Sequence, residues 1–363
     1  MSDAAPIVPA AAPMAASGPP RSGRWRRLVV PSCPRTGRGW LRWIGLRILL
    51  WPVLIVAVFG LMQRWLIYHP HREARILPAQ ARLADGQVHA VSLATHDGLE
   101  LNGWHVLPDQ CAARDAAECD RRLAEGGWLV LYLHGNAGNR RLRAADCRDF
   151  TRLGAHVFLF DYRGYGDNPG APSEAALVAD ARTLWDYAVA ERGVAPERIV
   201  LYGESLGGGV ATRLAADLCA DGICPAAVVL KGTFSSLADV GAHHFPVLPV
   251  RLLLVDRYES AEHIRQVTCP VLSIHGALDE IVPIEFGRRL FEAAPARSAS
   301  GIEKRMVELA ARGHNDLSVI EFAAPISALF DRIAAANGGA IPGDVARTSP
   351  ALGAAPAPPA AAP

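Results

Sequence analysis

The sequence has almost no net charge: 37 Lys and Arg stand against 36 Asp and Glu, leaving +1 at pH 7. That balance gives no support to a nucleic-acid partner. No internal repeat is visible. The seven cysteines show no CxxC or Cys/His spacing of a zinc site, and neither a metal nor a cofactor is expected. His243 and His244 are adjacent but lack a carboxylate or cysteine at ligand spacing, so they read as a solvated pair. Cys111 and Cys119, and separately Cys219 and Cys224, are close enough in sequence to be disulfides in an oxidising compartment. Isolated thiols fit equally well. Both chain ends lack the apolar content of a core. The basic segment 1–40, which opens Ala/Pro-rich, and the tail 337–363 are expected to be disordered.

Half of the residues are apolar and 20% are charged, which is ample for a globular body. One run is wholly uncharged: "ILLWPVLIVAVFGLM", residues 48–62, behind a block that includes Arg26, Arg27, Arg35, Arg38, Arg42 and Arg47. Extended back to Trp43, with Arg47 snorkelling, it reaches the roughly 20 residues of a membrane span. Trp65 and Tyr68 suit the far interface. The stretch "AVFGLMQRW" offers only a poor small-x-small cleavage site, which argues against a removed signal peptide. The reading is a single-pass transmembrane helix at 41–68. Its arginine bias places the N-terminus in the cytoplasm and the following domain on the non-cytoplasmic, periplasmic side.

From Val88 the chain alternates strand-like and helix-like segments. "HAVSLATHDGLELNGWHVLP" reads as two strands turned at His96-Asp97-Gly98. "WLVLYLHG", "HVFLFDYRG", "RIVLYGES", "AAVVLKGT", "CPVLSIHG" and "KRMVELA" are near-continuous apolar runs, as strands covered on both faces must be. Segments such as "SEAALVADARTLWDYAVAERG" between them have helical spacing and a serine cap. The fold class is therefore α/β, a mostly parallel sheet flanked by helices, over 69–336. A small cap is expected at about 233–266.

Polar signatures fall where such strands end and loops open. Gly203-Glu204-Ser205-Leu206-Gly207 lies between a strand and a helix, the setting in which a strained turn presents a nucleophilic serine. "HGNAGNR" from His134 offers a small-residue turn whose Asn136 N–H can meet that of Leu206 as an oxyanion hole. His134 itself reads as structural. Asp279, in "HGALDEIVP", fits the acid, with Glu280 as its neighbouring competitor. His314, in "ARGHNDL", fits the base, and Asp316 reads as the cap or first-turn acid of the next helix. The order Ser205, Asp279, His314 is that of α/β-hydrolases.

With "LIYHP", "LHGNAGN", "DYRGYG", "GESLGGGVA", "HGALDEIVP" and "GHND" in place, the chain resembles the α/β-hydrolase superfamily. It is most similar to the membrane-anchored Bem46-type branch with its ABHD17-like and ABHD13-like hydrolases. The resemblance implies a serine hydrolase with Ser205 as nucleophile, His314 as base, Asp279 as acid, and Asn136 and Leu206 as oxyanion donors. Tyr162 and Arg163 would shape a nearby loop. The expected activity is cleavage of a carboxylic ester or thioester in a small-molecule or lipid-like acyl substrate through an acyl-enzyme. The alternatives are a peptidase or amidase of the same fold, or a non-catalytic membrane-tethered scaffold. Lys231-Gly232-Thr233-Phe234 departs from the serine- and proline-containing turn of many relatives.

Overall fold

The computed structural model describes residues 36–109 and 111–338. The expectations for most of the basic segment and for nearly all of the tail lie outside these residues. The chain divides into two units between Ile55 and Val56. Helix α1, Gly37–Ile67, starts in the first, and its last turns belong to the second. Trp43–Ile67 is long and apolar enough to cross a membrane, judged by length and composition.

The second unit is built on an eight-stranded sheet. Its strands are β1 (Val88–Ala94), β2 (Glu100–Val106), β3 (Trp128–Leu133), β4 (Ala155–Phe160), β5 (Ile199–Glu204), β6 (Ala227–Lys231), β7 (Val271–Gly276) and β8 (Arg305–Leu309). They lie in the order β8-β7-β6-β5-β3-β4-β2-β1. Only the pairings β1–β2 and β2–β4 are antiparallel. The reason is visible in β3, buried at every residue. Leu129, Leu131 and Leu133 join the hydrophobic cluster on one face, while Trp128, Val130 and Tyr132 join that on the other. Alternate side chains thus meet two separate helical layers, and no face is left for polar residues.

The helices after α1 are α2 (Ala116–Ala124), α3 (Ala144–Arg152), α4 (Glu174–Asp186), α5 (Leu206–Ala220), α6 (Leu237–His244), α7 (Val250–Leu253), α8 (Ser260–His263), α9 (Ile284–Ala293) and α10 (Ala323–Ala336). Residues of α4, α5 and α9 fill the first cluster, and those of α3 and α10 the second. Ser173 caps α4 by accepting the Ala176 N–H at 3.3 Å, which satisfies a donor the helix itself cannot. The last helical segment is split: a 3-10 turn, Val319–Phe322, precedes α10 proper, which begins at Ala323. Pro325 lacks an N–H and cannot continue the upstream hydrogen-bond ladder, so the helix restarts there.

The segment 233–266, expected as a small cover, carries α6, α7 and α8 with connecting loops. The segment between β2 and β3 carries α2, whose Asp115 cap accepts the Glu118 N–H at 2.9 Å. Cys111 and Cys119 are unbridged thiols, whereas Cys219 and Cys224 close a disulfide between the end of α5 and the approach to β6.

Candidate active site

Strand β5 stops at Ser205, whose φ of 52° and ψ of −116° are exceptional for a residue with a side chain. The surrounding glycines are required by contact rather than by flexibility. A Cβ at Gly207 would sit 2.0 Å from the Leu133 carbonyl oxygen, and one at Gly208 would sit 2.3 Å from Thr233 Oγ1. Helix α5 can begin directly behind the serine only because these positions carry no side chain. The turn is pinned: Ser205 N–H donates to the Lys231 carbonyl at 2.8 Å, and the Ser205 carbonyl accepts from Gly208 N–H at 2.9 Å and Thr233 Oγ1 at 2.8 Å.

Two loops at the ends of β7 and β8 approach one another closely. A Cβ at Gly276 would lie 2.3 Å from the Arg312 carbonyl oxygen, and Leu278 N–H donates to that carbonyl at 2.9 Å. This contact brings His314 onto Asp279. His314 Nδ1 is 2.6 Å from Asp279 Oδ2, and its Nε2 is 3.0 Å from Ser205 Oγ. The other carboxylate oxygen, Oδ1, accepts the N–H groups of Ile281 and Val282 at 3.0 and 2.7 Å. Burial alone would raise the Asp279 pKa. The adjacent His275 and His314 rings, with the Val282 N–H, outweigh it and hold the carboxyl well below the usual range. Glu280, the competitor for the acid role, is exposed. Asp316 does not cap the next helix. It accepts the Gly313 N–H at 2.6 Å and braces the turn that carries His314, while Ser318 and Glu321 cap the helical segment.

The peptide N–H groups of Asn136 and Leu206 donate to no protein acceptor among the described residues. The Asn136 carbonyl accepts from His69 N–H at 3.1 Å and from the Tyr165 hydroxyl at 2.9 Å. Its side-chain amide donates to the Ile67 carbonyl at 3.0 Å. Both residues line the same cavity as Ser205, of about 230 Å3. That is far above the roughly 10–15 Å3 a single water needs.

His134 is fully buried, and burial together with the Arg143 charge holds its pKa down to about 3, so the ring is neutral. It donates from Nδ1 to the Gly135 carbonyl at 2.7 Å, and its own carbonyl accepts the Tyr162 hydroxyl at 2.9 Å. Arg163 pairs with Asp180 and with Asp97 at 2.8 Å, fixing the loop that follows β4. His243 and His244 are both exposed, and His244 Nε2 lies 2.9 Å from the Ile281 carbonyl.

Two features had no role in the sequence reading. His275 Nε2 donates to the Val282 carbonyl at 2.8 Å and lies 3.3 Å from Asp279 Oδ2, so a second, buried imidazole packs against this carboxylate. Behind the Gly135 turn, Glu204 accepts from Arg143 at 3.3 Å and sits 2.8 Å from the Tyr132 hydroxyl. Burial would raise the Glu204 pKa, but Arg143 and Lys231 outweigh it and lower it to about 2. Lys231, which departs from the pattern of many relatives, supplies a cation 3.4 Å from Asp146 in this network.

Comparison with known proteins agrees with this architecture. The serine aminopeptidase S33 family model, Hydrolase_4, matches residues 125–253. An uncharacterised protein of Mycobacterium tuberculosis strain H37Rv is 41% identical over 259 residues, 71% of this chain and 83% of that protein. The lysophosphatidylserine lipase ABHD12 of Danio rerio is 30% identical over 297 residues, 74% of this chain and 77% of the relative. Among solved structures, an α/β-hydrolase from Vibrio vulnificus superposes with a TM-score of 0.55 at 20% identity, over 70% of this chain and 88% of that one. The Pyrococcus furiosus esterase Pf2001 gives 0.53 at 17%, over 73% and 98%. The last two establish the fold alone. None of these matches specifies the Bem46-type branch. By its sheet order and its relatives, the chain belongs to the α/β-hydrolase superfamily.

Proposed function

We propose that this protein is a membrane-anchored serine hydrolase that cleaves a carboxylic ester of a lipid-like acyl substrate. The observation that carries the reading is the single hydrogen-bonded line from Asp279 through His314 to Ser205. Ser205 Oγ attacks the acyl carbonyl carbon as His314 Nε2 takes its proton. The oxyanion accepts hydrogen bonds from the Asn136 and Leu206 N–H groups, which have no competing protein acceptor among the described residues. His314 returns the proton to the leaving oxygen and the first product departs. Water then attacks the acyl-enzyme with His314 as base, releasing the acid and restoring Ser205. Asp279 keeps the His314 proton on Nδ1 and stabilises the imidazolium.

An ester is preferred because the Danio rerio relative is named a lysophosphatidylserine lipase, and because the cavity beside Ser205 has mostly apolar walls, among them Phe234, Val240, Val250 and Leu254. A thioester fits the same chemistry. Peptide or amide cleavage is the second reading, favoured by the serine aminopeptidase family match. Helix α1 supports attachment to a bilayer, and the arginines ahead of it support a cytoplasmic N-terminus.

Detergent-solubilised full-length chain is to be assayed with lysophosphatidylserine, p-nitrophenyl butyrate and leucine p-nitroanilide. Release of fatty acid and p-nitrophenol, without p-nitroaniline, is the expected outcome. Cleavage of the anilide alone would replace the esterase reading with the peptidase one.

A further inference from the structure

We infer that the last turns of α1 are a wall of the acyl-binding pocket, so that the anchor helix sets the length of chain the enzyme accepts. This rests on the catalytic reading above and adds to it a specificity role for a segment otherwise read as a tether. The cavity that ends at Ser205 is lined from the α1 side by Phe59, Leu66 and Ile67, and from the cover by Val240 and Leu254.

The wall is fixed rather than loosely apposed. Gln63 is 5% exposed; its Oε1 accepts the Val255 N–H at 2.6 Å, and its Nε2 donates to the Gly60 carbonyl at 2.9 Å. Arg64 reaches the buried carboxylate of Asp256 at 2.9 and 3.2 Å, and the Tyr68 hydroxyl donates to the same group at 3.1 Å. A buried polar group is tolerated only when satisfied, so these bonds tie α1 and the cover together as one surface.

The chemistry of the lining identifies its occupant. Beyond Ser205 and Asn136, the polar residues of the cavity are Gln63 and His244. The Gln63 amide is committed to backbone groups and His244 Nε2 lies against the Ile281 carbonyl. Apart from Ser205, the Asn136 and Leu206 N–H groups beside it and the exposed His244 ring at the mouth, the described lining is apolar or has its side-chain polar groups spent within the protein, so a hydrocarbon chain loses nothing there. Leu66, Phe245 and Ile281 line the cavity and remain 44%, 50% and 49% exposed, so it opens between the helix and the cover. A substrate with its carbonyl at Ser205 lays its acyl chain along α1.

The test uses full-length chain in dodecyl maltoside with p-nitrophenyl acetate, decanoate and palmitate. Phe59→Trp fills the cavity, and the decanoate-to-acetate ratio of kcat/KM is expected to fall at least about tenfold, since one methylene of pocket fit is worth about 10–200-fold. Phe59→Ala opens it, and the palmitate-to-decanoate ratio is expected to rise. Leu61→Trp is the control: Leu61 is 86% exposed and outside the cavity lining, and both ratios should stay within about twofold of the parent. Ratios unmoved by both Phe59 variants, or moved as far by Leu61→Trp, overturn the inference while leaving an active parent enzyme intact. A parent chain that neither hydrolyses these esters nor reacts at Ser205 overturns the catalytic reading and this inference together.

Discussion

His314 Nε2 stands 3.0 Å from Ser205 Oγ, although 109 positions separate the two residues in the chain. The contact exists because the β7 and β8 loops are stitched through Leu278 and Arg312, with Asp279 2.6 Å from the far side of the imidazole. If Asp279 fixes the tautomer, Asp279→Asn leaves the fold in place but presents Ser205 with the wrong ring nitrogen. The expected loss in kcat is about 10^4-fold, with a thermal midpoint near that of the parent. Activity within tenfold of the parent would remove Asp279 from the mechanism.

Gly207→Ala tests why the turn is glycine-rich. The added methyl meets the Leu133 carbonyl oxygen at 2.0 Å, and a backbone atom in a central strand cannot retreat as a side chain can. The expected destabilisation is about 1–3 kcal/mol or more, read from the urea midpoint of tryptophan fluorescence. A shift below about 1 kcal/mol would mean that the strand and helix do not approach as described.

Much of this was legible before any coordinates. Strands β3, β4 and β7 have continuous or near-continuous apolar runs because both faces are covered, and that pattern is local. Ser205 announces itself through neighbours whose size is restricted within a few residues. What escaped depends on distant partners. Gln63 reads as a blemish in an oily helix until Val255, 192 residues on, supplies its N–H. His275 precedes a glycine and reads as part of a turn until Asp279 folds back onto it. Asp316 resembles a helix cap by position, but the Gly313 amide is nearer, and a tight turn competes successfully for the same carboxylate.

Acid should weaken the fold well above the carboxylate range. Burial, with help from Arg143 and Arg198 respectively, lowers His134 and His156 from the ordinary 6.5 to about 3. Between those values the unfolded chain binds protons that the folded chain refuses. Their contribution is therefore complete above pH 6.5 and is lost as pH falls toward 3. Glu204 acts lower: its pKa drops from 4.5 to about 2, so its stabilisation is present above 4.5 and disappears below. Buried His105, 3.0 Å from His156, is lowered in the same way, while burial raises Asp161 to about 6 and offsets part of the effect; the urea midpoint is expected to decline from pH 7 to pH 4. A flat midpoint over that interval would contradict the buried, neutral state of these imidazoles.

The orientation of the anchor makes a separate prediction. Alkaline phosphatase fused after Ala336 should be active and green fluorescent protein at the same site dark, as on the non-cytoplasmic side of a bacterial inner membrane. The reverse pattern would invert the topology inferred from the arginines ahead of α1.

Reaction with a fluorophosphonate probe tests the central claim most directly, because it requires an activated serine and no knowledge of the substrate. The account predicts one covalent adduct on the full-length chain, mapped by mass spectrometry to the peptide containing Ser205 and absent from Ser205→Ala. It also predicts that His314→Ala slows the adduct's formation by orders of magnitude. Equal labelling of the parent and Ser205→Ala, or an adduct mapped to another residue, would contradict it.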